Sequence, residues 1–314
     1  MISSCRSHSF RLLSIHTHLA CRRLCTMDIS SGNVAFGRTC PGEVMQDFLR
    51  DQPENVAKIK KLQTSYSRGE VTYQCPIGCK DPAVLRDFIS SIDRLEELSI
   101  INYEAEASAL WPAIFKHAAS LKSLSIHTPP QHHSHLWTPA TTAEAVKQLP
   151  QLKQLELDVE LGEALSWLSS EGVGLEPGRS VVNELSSSKE IESILINVDL
   201  EDTASAFAGE QIWDVMGCIS FPEPNKEVCK KLASILFEKI RGNPSDGAAV
   251  LKHLELRFPR RVWDDRCQFY TVAYSVKIKA GETGDVVVDG EGTWKDYLPD
   301  WPEYGGFLWN LAHL

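Results

Sequence analysis

The chain has 314 residues, 43% of them hydrophobic and 24% charged, and a formal net charge of −10. These proportions exclude collagen-like, low-complexity and largely disordered classes. The excess of acid also argues against nucleic acid as the main partner, because phosphate binding requires a basic face. Apolar runs are short, Val286-Val287-Val288 being typical, and fall far below the roughly 18 residues that span a bilayer.

Taken in chain order, residues 1–27 carry Arg6, Arg11, Arg22 and Arg23 and no acid. The remainder therefore holds 28 basic and 42 acidic groups, a net of −14. Polar residues in Leu12–His18 interrupt the apolar stretch that a secretory signal needs, whereas Arg and Ser without acid match a mitochondrial presequence by composition. Residues 1–43 read as a basic, disordered leader. Nine cysteines, an odd number without a secretory signal, favour reduced thiols in the cytosol or nucleus over a disulfide framework. Cys75 and Cys79 flank Pro76-Ile77-Gly78, but no second ligand pair stands at zinc-site spacing, and the nearest histidines are His132, His133 and His135. No metal site is expected, and these histidines read as loop residues.

Internal repetition is the informative signal. An apolar residue, two others, a second apolar residue, one other and a third recur as Leu95–Ile100, Leu121–Ile126, Leu152–Leu157, Ile191–Ile196 and Leu251–Leu256. Chance predicts roughly one or two such windows. Each reads as a short strand whose fourth and sixth positions point the same way. Helical spacing precedes most of them: Pro82–Ser91 after the cap Asp81, Ala105–Ala119, Thr142–Leu149 after a threonine cap, and Asn225–Ile240 up to Gly242. Ile59–Leu62 looks like a first strand, entered through Val44, Phe48 and Leu49. Between 191 and 251, Met216, Ile219 and Phe221 fit either one more repeat strand or a helix running on from Ile212. After Phe258 the pattern alternates strictly over Gln268–Lys279, turns at Gly281–Gly284 into Val286–Val288, and turns again at Asp289-Gly290 toward Trp294. This predicts a β-hairpin that caps the last repeat.

The fold expected is thus α/β: an irregular solenoid over residues 44–262, with a curved parallel sheet inside and helices outside, followed by a C-terminal β cap and tail over 263–314. Residues 44–300 resemble the leucine-rich-repeat region of divergent F-box/leucine-rich-repeat proteins of the fungal type. The resemblance is carried by Asp47-Phe48-Leu49-Arg50, by Pro53–Ile59, by the five repeat strands and by the alternating C-terminal strand. It implies a curved surface that recruits a protein, and docking on the scaffold of an SCF-type ubiquitin ligase. The ninth repeat position, usually Asn or Cys, is here Tyr103, Pro129, Glu160, Asp199 and Pro259, and nothing in residues 1–43 reads as an F-box.

In such a solenoid the outward strand positions form the concave face. They are Glu97, Ser99 and Ile101; Ser123, Ser125 and His127; Gln154, Glu156 and Asp158; Ser193, Leu195 and Asn197; and His253, Glu255 and Arg257. The middle of this set is mildly acidic, which favours a basic partner segment. Trp137, in the loop 128–139, is a candidate recognition hot spot if exposed, and the more frequent alternative is a ring packed on the preceding helix. No phosphate-binding loop, dinucleotide fingerprint, His-Glu-x-x-His or nucleophile elbow is present, so no catalytic residue and no cofactor is expected. The functional expectation is a non-catalytic scaffold for another protein, with neither nucleic acid nor membrane as partner. The alternatives are a substrate-recruiting ubiquitin-ligase subunit with a lost F-box and, from another class, a hydrolase using Cys75 or Cys218.

Overall fold

A computed structural model describes residues 25–28, 32–36, 41–65, 82–101, 109–127, 137–160, 180–199, 212–213, 219–220, 226–242, 251–263, 269–281 and 286–296. The strands are β1 (Cys25–Asp28), β2 (Asn33–Phe36), β3 (Lys61–Ser65), β4 (Glu97–Ile101), β5 (Ser123–Ile126), β6 (Gln154–Glu160), β7 (Ser193–Asp199), β8 (Ile212–Trp213), β9 (Ile219–Ser220), β10 (His253–Trp263), β11 (Phe269–Ala280) and β12 (Val286–Asp296). The helices are α1 (Pro41–Asp51), α2 (Pro53–Ala57), α3 (Pro82–Ser90), α4 (Trp111–Phe115), α5 (Pro139–Gln148), α6 (Val181–Ser186) and α7 (Lys226–Arg241).

Ten strands form one open sheet in the order β1-β2-β3-β4-β5-β6-β7-β10-β11-β12. The seven from β2 to β7 and β10 run parallel, while β1 at one end and β11 and β12 at the other are antiparallel to their neighbours. All five repeat windows end in a strand of this sheet, in register, leucine beside leucine: Leu62, Leu98, Leu124, Leu155, Ile194 and Leu254 form one row. Two residues on, Ile100 stands beside Ile126, and Leu157, Ile196 and Leu256 continue beyond them. Both rows are buried against the helices in a single core with Phe88, Ile114, Leu185, Leu236 and Phe237. Period-two alternation leaves the intervening positions on the opposite face, away from the described helices.

Local chemistry fixes the helix starts. Pro53, Pro112 and Pro139 occupy first-turn positions, where a missing N–H costs nothing. Thr138 caps α5 in a capping box, its hydroxyl accepting from Thr141 N–H at 3.2 Å while its own N–H donates to Thr141 Oγ1 at 2.9 Å. Ser180 caps α6 in the simpler way, accepting from Asn183 N–H. Gly242 ends α7 with φ +67°, its N–H donating to the Glu238 carbonyl.

Five sequence readings are corrected. Residues 25–28 and 33–36, expected within the leader, form β1 and β2, an antiparallel pair that joins the sheet through β3. Helix α5 starts at Pro139, three residues before the Thr142 expected, because Thr138 rather than a later threonine supplies the cap. Ile212–Trp213 and Ile219–Ser220, the described residues of the stretch from Ile212 to Phe221, are neither helix nor part of the large sheet: as β8 and β9 they pair antiparallel in a separate two-stranded sheet. Repeat strand β10 runs on to Trp263, across the 262/263 boundary, because it pairs with parallel β7 through its first five residues and with antiparallel β11 along its whole length. Finally, Asp289-Gly290 is a bulge within β12, not a turn, since Ile278 pairs with Val288 and Lys277 with Gly290. Asp81, residues 105–108 of the Ala105–Ala119 reading, Met216 and Phe221 lie outside the described residues, and the helix observed within Ala105–Ala119 is α4.

Candidate functional site: the uncovered strand face

The register assembles the outward side chains into rows that cross the strands. Lys61, Glu97, Ser123, Gln154, Ser193, His253 and Lys279 form the first. Gln63, Ser99, Ser125, Glu156, Leu195, Glu255 and Lys277 form the second. Asp158, Asn197, Arg257 and Ser275 form a third, which His127, the residue after β5, joins through its side chain. All thirteen binding candidates therefore share one face, across five adjacent strands. Gln154 and His253 are exposed, Ser125 is buried, and the others are half-buried.

At the centre of the face is a charged cluster. His127 Nδ1 lies 2.7 Å from Asp158 Oδ1, and Nε2 lies 3.0 Å from Ser125 Oγ and 3.2 Å from Glu156 Oε2. The Ser125 hydroxyl donates to Glu156 Oε2 at 2.7 Å, and the Asn197 amide donates to Asp158 Oδ1 at 2.9 Å. Side-chain exposure is 13% for His127, 16% for Asp158 and 39% for Glu156. Burial alone would depress the imidazole pKa, but the Asp158 and Glu156 carboxylates outweigh it and raise His127 to about 10. Burial pushes the Glu156 carboxyl the other way, upward, and the His127 and Ser125 contacts with Arg257 nearby override it, lowering Glu156 to about 2. Next along the face, Arg257 donates from Nε to Glu255 at 2.6 Å, and Lys277 lies 3.8 Å from the same carboxylate.

Ser125, His127 and Asp158 have the spacing of a nucleophile, base and orienting acid. Their electrostatics are the reverse of what that chemistry needs. A general base must carry a free lone pair at working pH, and His127 is held protonated by two carboxylates. The serine hydroxyl, moreover, already donates to Glu156. Cys229, buried in α7, has its thiol pushed up to about 12 by burial, the condition of an inert structural thiol. Cys75 and Cys218 lie outside the described residues, as do Cys79 and the histidines of the 128–136 loop.

Two expectations change. Trp137 is not an exposed anchor: it is buried at 4% exposure, with Nε1–H donating to the Ile126 carbonyl at 3.2 Å and its ring edge-on to Trp111 at 5.4 Å. A tryptophan next to a helix cap is drawn under the helix because its ring adds more core area than any loop residue. Nor are the three rows acidic alone: Lys61, Lys277 and Lys279 from the flanking strands add cations to Arg257 and His127 beside Glu97, Glu156, Asp158 and Glu255. The sequence reading missed the three lysines because it counted only the five repeat strands. Among the described residues no helix is long and apolar enough to cross a membrane. No family model, no curated protein and no solved structure matches the chain.

Proposed function

We propose that the chain is an irregular leucine-rich-repeat solenoid that acts as a protein-interaction scaffold, with its partner seated on the uncovered strand face. The observation that carries this reading is the register. It brings outward side chains from six consecutive parallel strands, β3 to β7 and β10, into continuous rows on the face opposite the described helices, a broad surface rather than a pocket. His127 with Asp158 and Glu156, Arg257 with Glu255, and Lys61 with Glu97 already hold opposite charges within 3.2 Å, so shape and hydrogen bonds to Gln154, Ser193 and His253 carry recognition. The pre-bonded cluster around His127 fits this role, since groups already held in place lose less freedom when a partner docks.

The ubiquitin-ligase role that the family resemblance implies draws no support from residues 25–57, whose described parts build β1, β2, α1 and α2 into the same sheet and core instead of a separate helix bundle. The scaffold reading is tested by affinity capture with the full chain, followed by repeat capture with Ser193→Arg on the open face and Glu144→Arg on α5. The expected result is a partner lost with the first variant and retained with the second. Equal retention by both variants sinks the assignment of the face.

A further inference from the structure

A second surface lies at the end of the sheet where the parallel strands begin. The residue before each strand forms a backbone ladder: Glu96 N–H donates to the Lys60 carbonyl, Lys122 to Glu96, Lys153 to Lys122, Glu192 to Lys153 and Lys252 to Glu192, at 2.7–2.8 Å. The side chains follow the backbone. Lys122 meets Glu96 at 3.0 Å, and Lys153 and Lys252 meet Glu192 from either side at 2.8 and 2.6 Å. Each glutamate is thus shared by more than one cation, Arg94 also approaching Glu96 at 3.8 Å, and neutralises only one of them.

The described segments that lead into these strands (58–60, 91–96, 116–122, 149–153, 187–192 and 251–252) hold eight lysines and arginines against four acids, a net of +4 on a chain of −10.

We infer that this rim, centred on Lys122, Lys153 and Lys252, docks an acidic polypeptide segment. It is a different surface from the uncovered strand face, and it stands or falls independently of the function proposed above. The lysine side chains are 51–60% exposed, so their ammonium groups are open to solvent on the far side of the shared glutamates. Binding of this kind is electrostatic and falls steeply with ionic strength.

The test is fluorescence anisotropy of a labelled twelve-residue glutamate peptide with the full chain at 50 and 300 mM NaCl. Binding is expected at low salt, at least tenfold weaker at high salt, and absent for a glutamine peptide. K122Q/K153Q/K252Q should weaken it at least tenfold, whereas the same charge change on helix surfaces, K147Q/K231Q/K239Q, should change it less than twofold. E96Q/E192Q raises the rim charge and should tighten binding severalfold, which keeps the test decisive if the lysine triple variant folds poorly. No binding at 50 mM salt, an equal loss in both lysine variants, or no tightening with E96Q/E192Q overturns the inference. So does tighter binding of an oligonucleotide of equal charge, which makes the rim a nucleic-acid surface, or salt-dependent self-association that accounts for the anisotropy.

Discussion

Replacement of His127 by alanine removes the cation in hydrogen-bonding contact with both Asp158 and Glu156. Its magnitude follows from the displaced titration. An imidazole raised from 6.5 to about 10 favours the folded state fully below pH 6.5 and progressively less as pH rises to about 10. At pH 7 most of this contribution remains, a ceiling of about 4 kcal/mol at ~1.4 kcal/mol per tenfold change in proton affinity. Glu156 keeps 39% of its side chain in solvent, and water screens that part of the interaction, so about 2–3 kcal/mol is the expected loss. The assay is urea denaturation of wild type and H127A at pH 5.5, 7 and 9. The difference should be largest at pH 5.5 and shrink by more than half at pH 9, where wild type has itself lost most of the contribution. H127A/E156Q/D158N should recover at least half of the loss, because neutral partners no longer need the cation. A difference that is independent of pH between 5.5 and 9, or below about 0.5 kcal/mol at pH 7, refutes the reasoning.

Other consequences can be checked alongside. His117 has the opposite sign. Burial lowers its pKa, with Nε2–H donating to the Ile89 carbonyl and Nδ1 accepting from Leu95 N–H. Stability from this neutral form is present above pH 6.5 and lost as pH falls below it, so H117Q should flatten the melting-temperature decline between about pH 6.5 and 5. Gly32→Ala should cost more than Gly242→Ala in chemical denaturation. Both glycines have positive φ, worth about 1 kcal/mol, but a Cβ at Gly32 meets the Lys58 carbonyl at 3.0 Å while Gly242 faces open space. Trp137→Phe should lower stability by about 1–2 kcal/mol through the lost bond to Ile126 and leave partner capture unchanged; loss of capture with intact folding would reinstate Trp137 as an anchor. Leu157→Ala, in the core row of β6, should cost about 2–5 kcal/mol.

The strands were legible because their apolar spacing serves two faces at once. Leu98 and Ile100 go to the core and Ser99 to the open face, a pattern that helix packing cannot produce. The proline-started α3 and the long, strongly periodic α7 were equally plain. Helix α6 was not, since six residues offer less than two turns of periodicity, and β8 and β9 have two residues each. The outward side chains could be named from alternation alone. Their partners could not, because His127 meets Asp158 and Asn197 across 31 and 70 residues of sequence, and only the register decides which strands lie side by side. The same gap concealed the charge balance of the face, which depends on Lys61 and Lys277 from strands outside the repeat set. The bulge at Asp289 was hidden for a different reason: Asp-Gly is also the chemistry of a tight turn, and only pairing to Lys277 and Ile278 distinguishes the two.

The seams of the sheet are unequal. Between β6 and β7 seven residue pairs are in register, while between β5 and β6 there are three, ending at Ser125 and Glu156. His127 stands immediately past that short seam and ties it by side chains where the backbone pairing has stopped. In a sheet whose strands touch mainly their neighbours, cooperativity should pass through each junction in turn and fail first at the thinnest. The His127 cluster is therefore a rivet across a natural fault line. With it in place the sheet should melt as one body, and without it the halves on either side of residue 127 should exchange their amide hydrogens as two.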